Sequence, residues 1–434
     1  MRVLVTGAYG FIGSAVSARL LGKGHEVVGL GRNIARATRQ LPQLRWISLD
    51  IAKATRAEDW LPLLEGIDAV VNCAGALQDG GSDDVRAVHV DGTVALFHAC
   101  ERAGVKRVIH ISAIGIDRET PTKFSETKLI ADNDLIVRKL DWVILRPSVV
   151  YGRNAYGGSA LLRAAAALPG FVPVFSGTAD LQLVHLDDVA ETVAFFLKPD
   201  APARMTLELA GPERMPLVQV VKAFRHWLGL DSVREIPVPS GLATLAFRVG
   251  DAASWLGWRP PVRTTAQKEL TRGAIGEPAE WTRVTGIAPR SLTDALAREP
   301  ASVQERWFAR LFLLKPALIG GLALFWIATG STALGSAHGY AQAIALMKEG
   351  GASEAVARVA VIGGSIADIL IGVAMMFRSR ARQALLASIA LSLAYLVAAS
   401  LLHPWLWQDP LGPLVKILPV LLASFATLAI LDDR

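Results

Sequence analysis

The residues Thr6-Gly7-Ala8-Tyr9-Gly10-Phe11-Ile12-Gly13 follow directly on the apolar run Val3-Leu4-Val5 and precede a helix-forming stretch from Ser14 to Leu21. Glycines at this spacing suit a phosphate. Gly7 permits the tight turn after a strand, Gly10 lets the backbone approach a pyrophosphate, and Gly13 lets the next helix pack closely on the sheet. The phosphate then sits on a helix N-terminus, where free N–H groups favour an anion. Sites selective for NAD usually place an Asp or Glu at the end of the second strand, to accept hydrogen bonds from the ribose 2′-hydroxyl. Here the chain reads Gly29-Leu30-Gly31-Arg32-Asn33, without an acid. Arg32 is placed to face a 2′-phosphate, and Arg36, one helical turn later, adds a second charge. The expected cofactor is therefore NADP(H), with NAD(H) as the alternative; were Arg32 simply a solvated loop residue, it would carry no preference.

The elements that must position these residues follow from the hydrophobic pattern. Strand candidates at Val3 to Thr6, Glu26 to Leu30, Arg45 to Leu49, Ala69 to Cys73, Arg107 to Ser112 and Trp142 to Leu145 alternate with helical stretches. That alternation predicts an α/β Rossmann fold, a parallel sheet with right-handed crossovers. The segments Leu181 to Val184, Val189 to Leu197, Thr206 to Leu209 and Leu217 to Leu228 have longer connections and suit a smaller, substrate-side lobe. Ligand is expected between the two, beyond the carboxyl ends of the strands. Asp187 and Asp188 follow a strand and open a helix, which favours capping over catalysis.

Composition changes near Pro300, and after Leu311 the chain consists of long apolar stretches with few charges. A hydrocarbon core needs roughly 20 apolar residues per helix. Four candidates meet or approach that length: Phe312 to Ala333, Val356 to Phe377, Ala384 to Leu402 and Leu411 to Leu431. The expected organisation is a dinucleotide-binding domain over 1–298, an amphipathic juxtamembrane linker over 299–311, and an all-α four-helix transmembrane bundle over 312–434. Arg306, Arg310 and Lys315 flank the first span, and Arg378, Arg380 and Arg382 lie between the second and third, whereas the His403-to-Pro410 loop has no Lys or Arg. Basic loops stay inside. Both termini and the first domain are thus expected on the cytoplasmic side of the inner membrane. The nucleotide-binding pattern starts at Met1, which leaves no room for a cleavable signal peptide.

The formal net charge of +6 is carried largely by these membrane-flanking residues, and no nucleic-acid module or basic-aromatic stripe accompanies it. The expected partner is the lipid bilayer, not nucleic acid. Cys73 and Cys100, the only cysteines, lie in segments that read as buried. Neither a disulfide framework nor a Cys-based metal site is supported, and no metal is expected.

A family resemblance extends over Met1 to about Arg298. Thr6 to Gly13 match TGxxGxxG; Asp50-Ile51 match an acidic residue that meets the adenine; Asn72-Cys73-Ala74-Gly75 match the turn after the fourth strand. His89-Val90-Asp91-Gly92-Thr93, Ser112, Lys128, Arg146-Pro147-Ser148-Val149-Val150-Tyr151-Gly152, His185-Leu186-Asp187-Asp188-Val189 and Leu209-Ala210-Gly211-Pro212-Glu213 follow in order. This part resembles the extended and atypical short-chain dehydrogenase/reductases, of the NAD-dependent epimerase/dehydratase type. It is most similar to the group that includes the NADPH-binding accessory subunit of mitochondrial complex I. The resemblance implies cofactor contacts from Gly7, Tyr9, Gly10, Phe11, Ile12, Gly13, Arg32, Asn33, Arg36, Asp50, Ile51, Cys73, Ala74, Gly75, Lys128, Pro147 and Val149. The apolar second half resembles DoxX-like four-helix membrane proteins, through helix count, Asp368 in a Gly-rich second span and Lys416 in the last.

The resemblance also implies a Ser-Tyr-Lys centre, in which a Tyr phenol passes the proton, Lys lowers its pKa, and Ser orients the carbonyl. Ser112 and Lys128 match, but the position four residues before Lys128 is Phe124. Phenylalanine has no proton to give, so cofactor binding and ordinary carbonyl reduction separate here. Ser125, Tyr151 and Tyr9 are candidate replacements, each more readily read as a structural residue, and His89 reads as a packed neutral histidine. In the bundle, Asp368 and Lys416 are functional candidates because ionisable groups are costly in lipid. A salt bridge between them would serve packing; Gly320-Gly321, Gly330 and Gly363-Gly364 suit close helix contacts. Two readings of the whole remain. One is a membrane-tethered oxidoreductase acting on a lipid-soluble small molecule such as a quinone or isoprenoid. The other is an NADPH-binding structural, sensory or assembly protein for a membrane protein complex. A nucleotide-gated transporter is a weaker third.

Overall fold

The computed structural model describes residues 1–81 and 83–431; the last three residues of the expected membrane domain lie outside that range. The strands, in chain order, are β1 (Arg2–Thr6), β2 (Glu26–Gly31), β3 (Arg45–Ser48), β4 (Ala69–Asn72), β5 (Arg107–Ile111), β6 (Asp141–Pro147), β7 (Val149–Tyr151), β8 (Phe171–Val174), β9 (Leu183–His185), β10 (Met205–Leu209) and β11 (Arg234–Pro237). Seven of them form one sheet in the order β10-β6-β5-β4-β1-β2-β3. Every pairing in it is parallel, with Val3 beside Val27 on one side and Ala69 on the other. The near-continuous apolar runs Val3-Leu4-Val5 and Val70-Val71 are what such a sheet requires, because helices cover both faces. The strand order reverses between β1 and β4, which leaves a crevice at their carboxyl ends.

The sequence placed Thr206 to Leu209 in the substrate-side lobe. Instead β10 extends the main sheet beside β6, because its apolar residues Leu207 and Leu209 are fully buried there. The smaller lobe is built from the pairs β7-β9 and β8-β11 around Tyr151, Val172, Leu183, Val220 and Phe224.

Two compact units divide the chain: Met1–Ser254 with Arg259–Ala309, and Trp255–Trp258 with Arg310–Arg434. Most of 299–311 is the start of one helix that runs unbroken from Val303 to Gly335 with Pro316 inside it. Among the described residues, three helices are long and apolar enough to cross a membrane: Val303–Gly335, Glu354–Met376 and Ala381–Leu402. The expected fourth span is helical only over Ile417–Ala429. Asp409 accepts the N–H of Leu411 at 2.7 Å and Gly412 takes φ +56°, so a turn stands where the span was expected to begin. The Gly335-to-Ala355 loop holds a helix of its own, Ala337–Glu349, capped by Ser336.

In this unit Asp368 is buried and accepts a hydrogen bond from Tyr395 Oη at 3.0 Å, while Lys416 is exposed. The salt bridge between Asp368 and Lys416 is not formed. Gly330 meets the Ser365 carbonyl and Gly364 lies against Tyr395, but a Cβ on Gly320, Gly321 or Gly363 would meet nothing across the helix among the described residues; Gly372, against Ala323 and Ile327, supplies the contact instead.

The first unit is riveted by Asn72, which is fully buried. Its Oδ1 accepts from Thr6 Oγ1 at 2.5 Å and from the Ala74 N–H at 3.3 Å; its Nδ2 donates to Thr93 Oγ1 at 3.3 Å and to His110 Nδ1 at 3.1 Å. Asn72→Leu keeps the volume but strands buried polar partners on β1, β5 and the helix after β4. At about 1–3 kcal/mol for each unpaired group, the variant is expected to lose at least ~3 kcal/mol of stability in urea unfolding of the full chain. An unchanged midpoint would contradict this role.

Candidate functional site

The glycine turn is fixed by lack of space. Gly7 has φ +62°, and a Cβ there would lie 2.9 Å from the Cys73 carbonyl oxygen. A Cβ on Gly13 would overlap the Gly7 carbonyl. The Gly10 N–H donates to the Gly7 carbonyl at 2.8 Å, and Gly10 then caps the helix Phe11–Gly22 with no side chain in the way. The N–H groups of that helix's first turn are left for an anion. A pyrophosphate suits these N–H groups, and side chains at Gly7 or Gly13 would press on the backbone that shapes the turn.

Tyr9 lies over Gly31 and edge-on to Trp46, with ring centroids 6.2 Å apart. Beyond it is a cleft of about 550 Å³ lined by Arg32, Ser48, Leu49, Asp50, Lys53, Ala54 and Asp59. Arg32 and Asp50 were expected at an adenosine site; Lys53 was not, although it is a second cation three residues after Asp50. Arg32 Nη2 contacts Asp83 Oδ1 at 2.9 Å, and Arg259 meets the same oxygen at 2.8 Å. Asn33 caps the helix Ile34–Gln40 by accepting the Arg36 N–H at 3.0 Å. Asp50 Oδ1 takes the Ala52 N–H at 3.3 Å. Ile51 is buried, its carbonyl so close to Gly92 that no Cβ fits there.

On the other side of the crevice, Cys73, Ala74 and Gly75 form the turn after β4. Burial pushes the Cys73 thiol up to about 12, so it is a neutral packing group. A Cβ at Gly75 would sit 3.4 Å from His89 Nε2 and 3.7 Å from Lys128 Nζ. Lys128 is 5 % exposed and donates from Nζ to the Ile111 carbonyl at 2.8 Å, beside Ser112. Burial pulls its ammonium down to about 8, against the attraction of Asp132. Ser112 is held through its N–H, which donates to the Leu145 carbonyl at 2.7 Å. Its Oγ is buried and faces the Asp132 carboxylate at a geometry short of a good hydrogen bond. A hydroxyl so loosely held suits a ligand oxygen. Pro147 ends β6 and its carbonyl accepts from the Ile114 N–H at 3.1 Å; Val149 opens β7.

Phe124 stands one turn before Lys128 on the helix Lys123–Ile136. Its ring packs edge-on against His89, 5.6 Å between centroids. His89 lies in a π-helical turn, Ala87–Gly92; its Nε2 accepts from the Ala76 N–H at 3.0 Å and its Nδ1 pairs with Thr127 Oγ1 at 2.9 Å. An acceptor at Nε2 fixes the proton on Nδ1, and burial holds the ring's pKa well below the usual histidine value. His89 is thus a neutral, fully bonded strut. Ser125 is buried and turned back on Thr122, and Tyr151 is buried between His185 and Phe224, its hydroxyl 3.4 Å from the Ser291 carbonyl. None of the three candidate phenol replacements is free of a structural contact.

Besides Lys53, two features were missed in the sequence. Asp132, one turn after Lys128, is fully buried; Arg146 Nε contacts it at 3.0 Å, and His110 Nε2 approaches to 3.6 Å. Burial pushes its carboxyl up while Arg146 pulls it down. The i, i+4 spacing to Lys128 was the available signal. Second, the capping residue of the helix Leu186–Phe196 is His185, which accepts the Asp187 N–H at 3.3 Å. Asp188 instead binds Arg290, through the backbone N–H at 3.2 Å and the guanidinium at 3.1 Å. His185, Asp187 and Glu299 converge closely enough to suggest a cation site, but Arg290 Nη1 stands 3.2 Å from His185 Nδ1 and supplies the positive charge itself.

Comparison with known proteins agrees with this architecture. Residues 3–206 match the NAD dependent epimerase/dehydratase family, and residues 323–425 match the DoxX-like family. An uncharacterized protein of Mycobacterium tuberculosis is 30% identical over 225 residues, 51% of this chain but only 23% of that protein; the match therefore spans about a quarter of this relative's length. A 3 beta-hydroxysteroid dehydrogenase/Delta 5→4-isomerase of the same organism is 28% identical over 312 residues, covering 59% of this chain and 79% of its own. Among solved structures, dTDP-glucose 4,6-dehydratase from Streptomyces venezuelae with NAD bound has TM-score 0.53 at 23% identity, covering 71% of this chain and 97% of its own. UDP-glucuronic acid 4-epimerase from Bacillus cereus, also with NAD, has TM-score 0.53 at 19% identity over 72% and 100%. At these identities the structures show the fold alone.

The Lys128 ammonium gives a pH signature. Its folded-state pKa of about 8 is below the ordinary 10.5, so between those values the unfolded chain binds a proton that the folded chain does not. Stability therefore rises with pH across that interval, and the penalty is fully present below about pH 8. Urea unfolding at several pH values is expected to give this positive slope in the wild type and a shallower one in Lys128→Met. Equal slopes would contradict a buried, depressed Lys128.

Proposed function

We propose that this chain, which carries an NAD-dependent epimerase/dehydratase domain and a DoxX-like domain with membrane-length helices, is a membrane-anchored oxidoreductase of short-chain dehydrogenase type that prefers NADP(H) and acts on a lipid-soluble substrate. A quinone or an isoprenoid carbonyl fits that description. In this reading the first domain lies on the cytoplasmic side of the inner membrane, as the basic residues flanking the first span favour, and the C-terminus returns to that side where the short helix Ile417–Ala429 also crosses. The observation that carries it is the convergence of Gly75, Lys128 Nζ and the buried Ser112 at the carboxyl ends of β4 and β5.

The glycine turn and the first N–H groups after Gly10 would hold the pyrophosphate, Asp50 and Ile51 the adenine, and Lys128 the nicotinamide ribose. When bound, the dinucleotide supplies hydride chemistry. The chain's own contribution is orientation and proton supply. Ser112 donates to the substrate oxygen, and Lys128 keeps a proton on Nζ up to about pH 8. Phe124 contributes none, so the proton for the product hydroxyl comes from Lys128 or from water. Holding both domains on one chain raises the local concentration of a lipid substrate.

One observation favours a second reading. The Phe124 ring is packed on a neutral, fully bonded His89, a filled site with no donor where the phenol would act. A dinucleotide held there would stabilise the domain by linkage while the chain serves a membrane protein complex. Phe124→Tyr separates the two. Gain of NADPH-dependent carbonyl reduction is expected if the pocket lacks only its proton donor; its absence, with dinucleotide still bound, favours the binding role.

Cofactor preference rests on Arg32 and Lys53 in the same cleft. NADPH is expected to bind more tightly than NADH. Arg32→Ala and Lys53→Ala should each weaken NADPH about tenfold or more, as loss of one charged hydrogen bond implies, and leave NADH unchanged. Fluorescence titration of both dinucleotides measures this; equal losses for the two would refute a 2′-phosphate site.

A further inference from the structure

The Ser240–Trp255 helix turns an apolar stripe outward. Leu242, Leu245 and Val249 are 60%, 57% and 59% exposed, and Trp255, its last residue, is 74% exposed. The spacing i, i+3, i+7 puts the first three on one face. The opposite face is firmly seated: Phe247, Gly250 and Ser254 are buried. Gln78 Nε2 donates to Asp251 Oδ1 at 2.7 Å, Arg263 Nη2 donates to Ser254 Oγ at 3.0 Å, and the Gly81 N–H donates to the Ser254 carbonyl at 3.3 Å. The exposed stripe therefore does not arise from a loosely packed helix.

Chain continuity identifies what covers it. The helix ends in Trp255, and Trp255–Trp258 cluster with the membrane-helix unit. There the Arg378 N–H donates to the Leu256 carbonyl at 2.9 Å, Trp258 Nε1 donates to the Met376 carbonyl at 2.7 Å, and the Arg378 guanidinium sits 5.6 Å over the Trp258 ring. Met376 is the last residue of a membrane-length helix. The connection thus joins the helix to the end of a span, the level at which hydrocarbon gives way to headgroups. Tryptophan concentrates at that level, and Arg378, Arg380 and Arg382 follow in the sequence. On the helix itself Arg248 is exposed, and Arg234 is exposed in β11 just before it. Basic residues flanking an apolar stripe suit anionic headgroups.

We propose that the Ser240–Trp255 helix is an interfacial anchor that lies in the headgroup layer of an anionic bilayer, with Leu242, Leu245 and Val249 in the acyl boundary. Its inner face grips the loop that begins just after Gly75, so the helix is a second attachment to the bilayer besides the spanning helices. The anchoring concerns docking alone and holds whether or not the site turns over.

The test places a fluorescent label on single introduced cysteines in the full chain, reconstituted in nanodiscs of phosphatidylcholine and phosphatidylglycerol. Leu245→Cys and Val249→Cys report the stripe, and Val137→Cys, at an exposed position just after the helix Lys123–Ile136, is the control. Cys100 is buried and Cys73 half-buried, burial pushes both thiols up to about 12, and labelling of the chain without an introduced cysteine gives the background to subtract. The labels at 245 and 249 are expected to emit at shorter wavelength and to be quenched by a lipid-borne nitroxide, while the label at 137 is not. Introducing Leu242→Glu with the label at 249 should abolish that quenching and leave dinucleotide binding intact. Quenching no stronger at 245 and 249 than at 137 would overturn the proposal. So would a wavelength shift without lipid quenching, which would mean that a second copy or a protein partner covers the stripe.

Discussion

The dinucleotide site depends on one buried amide. Asn72 joins β1 through Thr6, β5 through His110, the helix after β4 through Thr93, and its own turn through the Ala74 N–H. All these partners lie inside the protein, where an unpaired polar group is costly. The amide therefore fixes how closely β1 and β4 approach. That approach leaves no room for a side chain at Gly7, whose absent Cβ would press on the Cys73 carbonyl. From the same turn the chain leads to Gly75, where Lys128 and His89 meet it. Phosphate cradle and ribose-side lysine are thus consequences of one packing decision at the end of β4.

Binding and proton delivery are supported by different residues, which is why one can persist without the other. The glycines, Lys128 and Ser112 have their geometry set by the sheet and by the helix Lys123–Ile136. Proton delivery through a phenol would need only one more atom at residue 124. There Phe124 packs on His89, and the ring's two nitrogens are already committed to Ala76 and Thr127. His89 and His110 are held neutral by burial, and burial raises the Asp132 carboxyl against the pull of Arg146. Lys128, drawn down to about 8, can exchange a proton near physiological pH.

Local signals in the sequence carried the core of this account and failed where tertiary context decides. The glycine turn, six strands of the sheet and the apolar spans follow from spacing and hydrophobic period alone. Met205–Leu209 could not be assigned to the main sheet, because nothing local distinguishes an edge strand of a large sheet from a strand of a small lobe. The fourth span was overextended because Leu411 to Lys416 is nearly as apolar as a span, and the Asp409–Gly412 turn that ends it is a matter of one carboxylate and one glycine. Asp187 and Asp188 have the residue type of caps, yet His185 occupies that place because Arg290, a hundred residues away, claims Asp188. Lys53 and Asp132 were legible only in hindsight, since their relevance comes from what folds opposite them.

The most direct measurement is mass spectrometry of the dinucleotide that copurifies with the full chain extracted in native lipid. The account predicts NADP(H), bound one per chain, and no comparable NAD(H). Recovery of NAD(H) instead, or of no dinucleotide from a chain that also fails to bind added NADPH, would contradict it.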